Sequence, residues 1–223
     1  MKPFQPPKPA RATGAIVIVC VAIQLLATIA GHNMLVELAL RAGLMPARLT
    51  GTLDLGMAAV PAPLTLITSL FIHGGWLHLI LNLLFLLIVG RMVEWVIGPA
   101  RLVGLFIVGG IAGGLLQALV SPASTLPVIG ASGAIAAVFA CYATLFARSR
   151  ANARTVLGVK MSSEVLTALW FAAVWIGLQL MTGAAFNAGG GGIAIWAHIG
   201  GFVAGLLIAQ PLTRRPRSNV DLR

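Results

Sequence analysis

The sequence predicts an all-α protein, a polytopic bundle of six membrane-spanning helices. Three observations lead there. The 223-residue chain is 59% hydrophobic and only 9% charged, whereas a soluble domain carries about 25% charged residues. Its apolar residues gather into six runs, each near the ~20 residues that a bilayer core requires. Its basic residues lie mostly between those runs and are dense in alternate connections.

The formal net charge is +10. On a soluble protein that balance would point to nucleic acid. Between apolar runs it reports topology and contact with anionic lipid headgroups, so the expected partner is the bilayer and no nucleic acid. Cys20 and Cys141 both fall inside apolar runs, where free cysteine behaves as a small hydrophobe. There is no disulfide framework and no CxxC pair.

Residues 1–12 form a Pro-rich basic tail with Lys2, Lys8 and Arg11, a composition that stays disordered. The first run is 14–30. A cleaved signal peptide is the alternative for this stretch, but Thr28 and Ala30 fit an A-x-A site only loosely. Residues 31–62 make a long connection carrying Glu37, Arg41, Arg48 and Asp54, yet still rich in Leu, Met and Ala. Such a connection is expected to lie partly sunk in the membrane interface.

A short apolar stretch, 64–72, precedes the turn His73-Gly74-Gly75. The second run is 76–97, with His78 and Asn82 in its first two turns, and Gly98-Pro99 breaks it. The third run, 102–120, carries Gly109, Gly110, Gly113 and Gly114, and an uncharged loop follows at 121–129. The fourth run is 132–147, then a basic loop at 148–160. The fifth is 165–182, then a Gly-rich loop at 186–192, and the sixth is 193–212. The expected organisation is one six-span domain over 13–212, with its long first loop at 31–62, between basic tails 1–12 and 213–223.

With the N-terminus inside, all Lys and Arg except Arg41 and Arg48 fall on the inner side. The positive-inside rule therefore places both termini in the cytoplasm, as for a multi-pass protein of the cell (inner) membrane. Runs two, four and six then begin at the outer face. His73, His78 and Asn82 start the second, Ser132 starts the fourth, and His198 lies about 7 Å into the sixth at 1.5 Å per residue. Polar groups from three helices thus meet at one depth. Ala197, Gly201 and Gly205 repeat every four residues on the sixth run, and Gly133, Ala137 and Cys141 on the fourth. Small-residue stripes let membrane helices approach closely, which would bring the Ser132 hydroxyl within reach of the His198 ring.

A serine hydroxyl becomes a nucleophile when an adjacent base takes its proton, and neutral histidine is the usual base. Glu37 and Asp54 fall in the first loop, Glu94 and Glu164 near inner helix ends and Asp221 in the tail, so no carboxylate offers itself as a third member and the simplest site is a Ser132–His198 dyad. Unpaired N–H groups at the helix start carrying Ser132, the Asn82 amide and a His78 ring N–H are candidate oxyanion donors. The bland alternative for each residue is a helix–helix hydrogen bond or a packing seam. A zinc site on His73, His78 and His198 is the competing use of the histidines. HExxH is absent, and positions i and i+5 do not share a helix face, so no metal and no cofactor is expected.

Three motifs carry a family resemblance: GxSG at Gly130–Gly133, HxxxxHxxxN at His73, His78 and Asn82, and AHxGGxxxG from Ala197 to Gly205. In this order they resemble the rhomboid intramembrane serine proteases over nearly the whole chain. The resemblance implies cleavage of a peptide bond in or near the transmembrane helix of a membrane-protein substrate. It would make Ser132 the nucleophile and His198 the general base, with oxyanion contacts from His78, Asn82 and the Ser132 backbone. Gly130, Gly133, Gly201 and Gly205 would be packing positions. A non-catalytic rhomboid-fold protein that binds membrane helices is the alternative, and a transporter is third. The chain departs from the family in places. The family's Trp-Arg pair in the first loop is replaced by Pro63-Leu64-Thr65-Leu66, Glu94 lacks that arginine, and Ala136 stands where some members have an aromatic.

Overall fold

The computed structural model describes residues 10–56, 59–146, 154–156, 159–161 and 194–213. The fifth run at 165–182, the Gly-rich loop at 186–192 and the tails at 1–9 and 214–223 lie outside them, while Arg11 and Ala12, expected in the disordered tail, and Thr213 belong to helices. Among the described residues the named elements are helices, with one short antiparallel pair, β1 (Arg154–Val156) with β2 (Val159–Met161). All of that pair but Met161 lies within the stretch expected as a plain basic loop, 148–160.

Helix α1 (Arg11–Ala30) ends at Gly31 (φ +115), and α2 (His32–Ala42) follows at once. Short α3 (Pro46–Leu49) has proline in its first turn, where the missing N–H is not needed. The stretch 62–71 is a compound turn of helix: 3₁₀ at Ala62–Leu64, α4 (Thr65–Thr68), and 3₁₀ again at Ser69–Phe71. The connection expected at 31–62 is therefore partly helical. An Arg41–Glu37 ion pair of 2.7 Å, one turn apart, supports α2.

Helix α5 (Trp76–Ile97) runs between Gly75 (φ +136) and Gly98 (φ +86), both in backbone that favours glycine. Pro99 then opens α6 (Pro99–Val120). Helices α1, α5 and α6 are long and apolar enough to cross a membrane. Helix α7 (Ser132–Phe146) and α8 (Ile195–Thr213) complete the described helices.

Helix α7 is the centre of the packing. Every residue from Gly133 to Tyr142 is buried, with α5, α6 and α8 around it. Phe106, Phe139, Leu86 and Ile135 fill the core. The outward faces of α1, α5 and α6 expose Ile18, Leu26, Leu84, Ile88 and Leu119, the pattern of helices solvated by lipid.

Two ties hold the periphery. The buried Glu94 carboxylate on α5 accepts the N–H groups of Ala12 (2.9 Å) and Thr13 (2.8 Å) and the Thr13 hydroxyl (2.7 Å). It caps α1 from another helix, because α1 has no side-chain cap of its own. The first loop is anchored without the Trp-Arg pair. Leu44 and Val128 exchange backbone hydrogen bonds of 3.1 and 2.7 Å, and Ala47 N–H reaches the Ser124 carbonyl at 3.0 Å. The Arg48 guanidinium donates to the Val60 carbonyl at 2.7 Å, and the Thr68 hydroxyl to the Ala42 carbonyl at 2.6 Å.

Candidate functional site

Ser132 sits at the first position of α7 because the chain before it is shaped to deliver it there. Gly130 adopts φ +114, and a Cβ on it would lie 2.7 Å from Cε1 and Nε2 of the His78 ring. The Gly130 N–H donates to the Ser69 carbonyl at 2.9 Å, and the Ala131 carbonyl accepts the first helical bond, from Ile135 N–H, at 2.8 Å. The N–H groups of a helix's first turn have no intrahelical acceptor, and the dipole there favours negative charge.

His198 lies in the first turn of α8, closer to the helix start than the sequence suggests, since α8 begins at Ile195. The small-residue stripes of α7 and α8 face each other. A Cβ on Gly201 would run into the Gly133 carbonyl, and one on Gly205 into the Ala137 backbone. At the end of this seam where both helices begin, the Ser132 Oγ and His198 Nε2 are 2.6 Å apart. Ser132 is half-buried and His198 buried. A hydroxyl held this way against a neutral imidazole is placed to lose its proton to it.

His78 and Asn82 lie one turn apart on α5, both buried. The Gly74 N–H donates to His78 Nδ1 at 3.2 Å. A neutral His78 therefore carries its proton on Nε2, the atom beside Gly130. The Asn82 amide donates to the His78 carbonyl at 2.9 Å and has a second amide hydrogen.

His73 is brought into the same cluster. It is not on the helix, because Gly74 and Gly75 turn the chain back before α5 begins. Its ring meets His78 edge-on, with centroids 5.0 Å apart, although i and i+5 residues of one helix would diverge. Burial lowers its pKa to about 4, with the Phe71 carbonyl opposing the shift. The neutral ring accepts the Ala131 N–H through Nε2 at 3.5 Å, next to Ser132. Among the described residues no three His, Cys, Asp or Glu side chains converge as metal ligands.

A cavity of about 20 Å³ opens beside Ser132, lined also by Ser69, Leu70, Gly114, Val128 and Ala194. It is large enough for a water molecule. Sequence reasoning passed over one polar residue beside His198. Gln117, on α6, bonds the residue before His198. Its signal was available, as an amide in an otherwise apolar span.

The chain matches the family model of the Rhomboid domain over residues 62–215. RHOMBOID-like protein 4 of Arabidopsis thaliana is 31% identical over 151 residues, covering 68% of this chain and 34% of the relative. Rhomboid-like protease 5 of Toxoplasma gondii is 29% identical over 143 residues, covering 62% of this chain and 15% of the relative. RHOMBOID-like protein 5 of Arabidopsis thaliana is 27% identical over 152 residues, covering 68% of this chain and 45% of the relative. The chain spans less than half the length of these relatives. With the family model covering well over half of it, this chain belongs to the rhomboid family.

Proposed function

We propose that the protein is an intramembrane serine protease that hydrolyses a peptide bond in or near the transmembrane helix of membrane-protein substrates. The observation that carries this reading is the 2.6 Å approach of Ser132 Oγ to His198 Nε2. With the imidazole proton on Nδ1, Nε2 takes the Ser132 proton as Oγ attacks the substrate carbonyl. The oxyanion forms in front of the α7 N-terminus, where the Ser132 N–H, the His78 Nε2–H and the second Asn82 amide hydrogen are the donors. His198 returns the proton to the leaving amine. A water deprotonated by His198 then opens the acyl-enzyme and restores Ser132.

In this reading six spans cross the cell (inner) membrane with both termini in the cytoplasm. The experiment is labelling with a fluorophosphonate. Wild-type protein should label at Ser132, and Ser132→Ala and His198→Ala should each lower cleavage by about 10⁴-fold or more. Nucleophile and base act as a unit, so the double variant should be no worse than either single one. Absence of labelling would favour a helix-binding protein without catalysis. Activity that follows added zinc and falls with a chelator would return the histidines to a metal site.

A further inference from the structure

We propose that Gln117 is a positioning residue for His198, holding the first turn of α8 at the depth and rotation that present the imidazole to Ser132. The inference rests on the Ser132–His198 reading and adds a residue to it. Gln117 Oε1 accepts the Ala197 N–H at 3.3 Å. Ala197 immediately precedes His198, and the same N–H is shared with the Ala194 carbonyl at 3.0 Å in the opening turn. Ala194, just before α8, has no side-chain oxygen with which to cap it. The extra acceptor comes from α6 instead.

The other end of the Ala197 residue packs closely against the same face of α6. Gly113 lies one turn before Gln117, and a Cβ there would run into the Ala197 carbonyl. From the opposite side, a Cβ on Gly133 of α7 would stand 3.1 Å from that carbonyl oxygen. The backbone beside His198 is therefore enclosed by α6 and α7. The glycines only remove obstacles and leave α8 free to slide or turn slightly. The Gln117 bond is directional and removes that freedom. After Arg101, Gln117 is the one side chain of α6 that is neither apolar nor glycine, and an amide at membrane depth is costly unless it is bonded.

The test uses the full chain in detergent micelles, a fluorophosphonate probe, and two variants. Gln117→Leu keeps the bulk and deletes the acceptor. Gln117→Glu offers an acceptor oxygen whether ionised or protonated. Gln117→Leu should lower the maximal labelling rate at Ser132 about tenfold, since sub-ångström misplacement of a reacting group is felt at this scale. The half-saturating probe concentration should stay within about twofold, and amide exchange over 195–198 should accelerate. Gln117→Glu should restore the labelling rate to within about threefold of wild type. Wild-type labelling and exchange in Gln117→Leu would overturn the proposal. So would equal slowing in both variants accompanied by equal loss of thermal stability, the signature of a purely structural role. If wild type does not label at all, the protease reading falls. Amide exchange then decides the positioning alone: faster exchange in Gln117→Leu supports it, and unchanged exchange overturns it.

Discussion

Glu94→Ala should unhook the start of α1 without touching the site. Three donors converge on the Glu94 carboxylate at 2.7–2.9 Å, two of them backbone N–H groups of the first turn of α1. Loss of a helix cap is worth about 1 kcal/mol, and a hydrogen bond to a charged group about 1.5–3 kcal/mol. The three bonds share one acceptor, and the freed helix end can relax toward water, so we expect about 3 kcal/mol in total rather than the sum of the parts. At roughly 2–4 °C per kcal/mol for a chain of this size, the unfolding midpoint in micelles should fall by about 6–12 °C. Thr13→Val removes only the hydroxyl donor and should lose about 1–2 kcal/mol in the native background. In the Glu94→Ala background it should lose almost nothing. Glu94 stands about 24 Å along α5 from His78, so fluorophosphonate labelling per folded molecule should be unchanged. Tryptophan fluorescence across a thermal ramp reads the stability. Additive losses in the double variant would refute the assigned contact, and slower labelling of the folded protein would refute the separation of cap and site.

Asn82→Ala should lower kcat with little change in KM. The effect should fall at or below the low end of the ~10²–10³ range for one oxyanion donor, because other donors face the same point; a pure KM effect would assign Asn82 to substrate contact. Gly130→Ala forces a side chain into φ +114 and against the His78 ring. Backbone strain of about 1–3 kcal/mol should lower the unfolding midpoint and slow labelling at Ser132, and wild-type values for both would contradict the geometry. Cysteines placed at positions 152 and 218 should resist a membrane-impermeant thiol reagent in intact cells, while one at 125 should react. Native Cys20 and Cys141 are buried and give little background. Labelling at 152 would invert the topology.

The helices were legible where the chain carries its own punctuation. Gly75 and Gly98-Pro99 bound α5, and Gly130 with Ser132 opens α7, so those limits can be read locally. The start of α1 cannot. The sequence suggests residue 14, but the helix begins at Arg11 because its cap arrives from Glu94, far along the chain. The 31–62 stretch reads as a connection from its prolines and charges. The Glu37–Arg41 spacing that supports α2 is a weak signal beside them. His73 and His78 look divergent at i and i+5, a rule that holds only within one helix, and the Gly74-Gly75 turn takes His73 out of it. The Ser132–His198 pairing was foreseeable from matching depth and small-residue stripes. The Gln117 bond to Ala197 was not, because nothing local specifies which backbone group an intramembrane amide will find.

The meshing of α6, α7 and α8 inverts the usual logic of core mutagenesis. Most cores are probed by taking atoms away, and a variant's harm follows the void it leaves. At the glycine contacts between these helices there is no side chain to remove. A Cβ on Gly201 meets the Gly133 carbonyl, one on Gly205 meets the Ala137 backbone, and one on Gly109 meets the Ala137 side chain. Each position has a ceiling on volume and no floor, so an alanine scan reports on crowding there and on truncation everywhere else. Of these contacts, the one between Gly109 and Ala137 falls on a side chain and can be exchanged: Gly109→Ala should become tolerable only with Ala137→Gly. The other two fall on backbone, which no substitution across the seam can retract. Drift in related sequences should accordingly show reciprocal swaps at the first pair and plain invariance of glycine at 201 and 205.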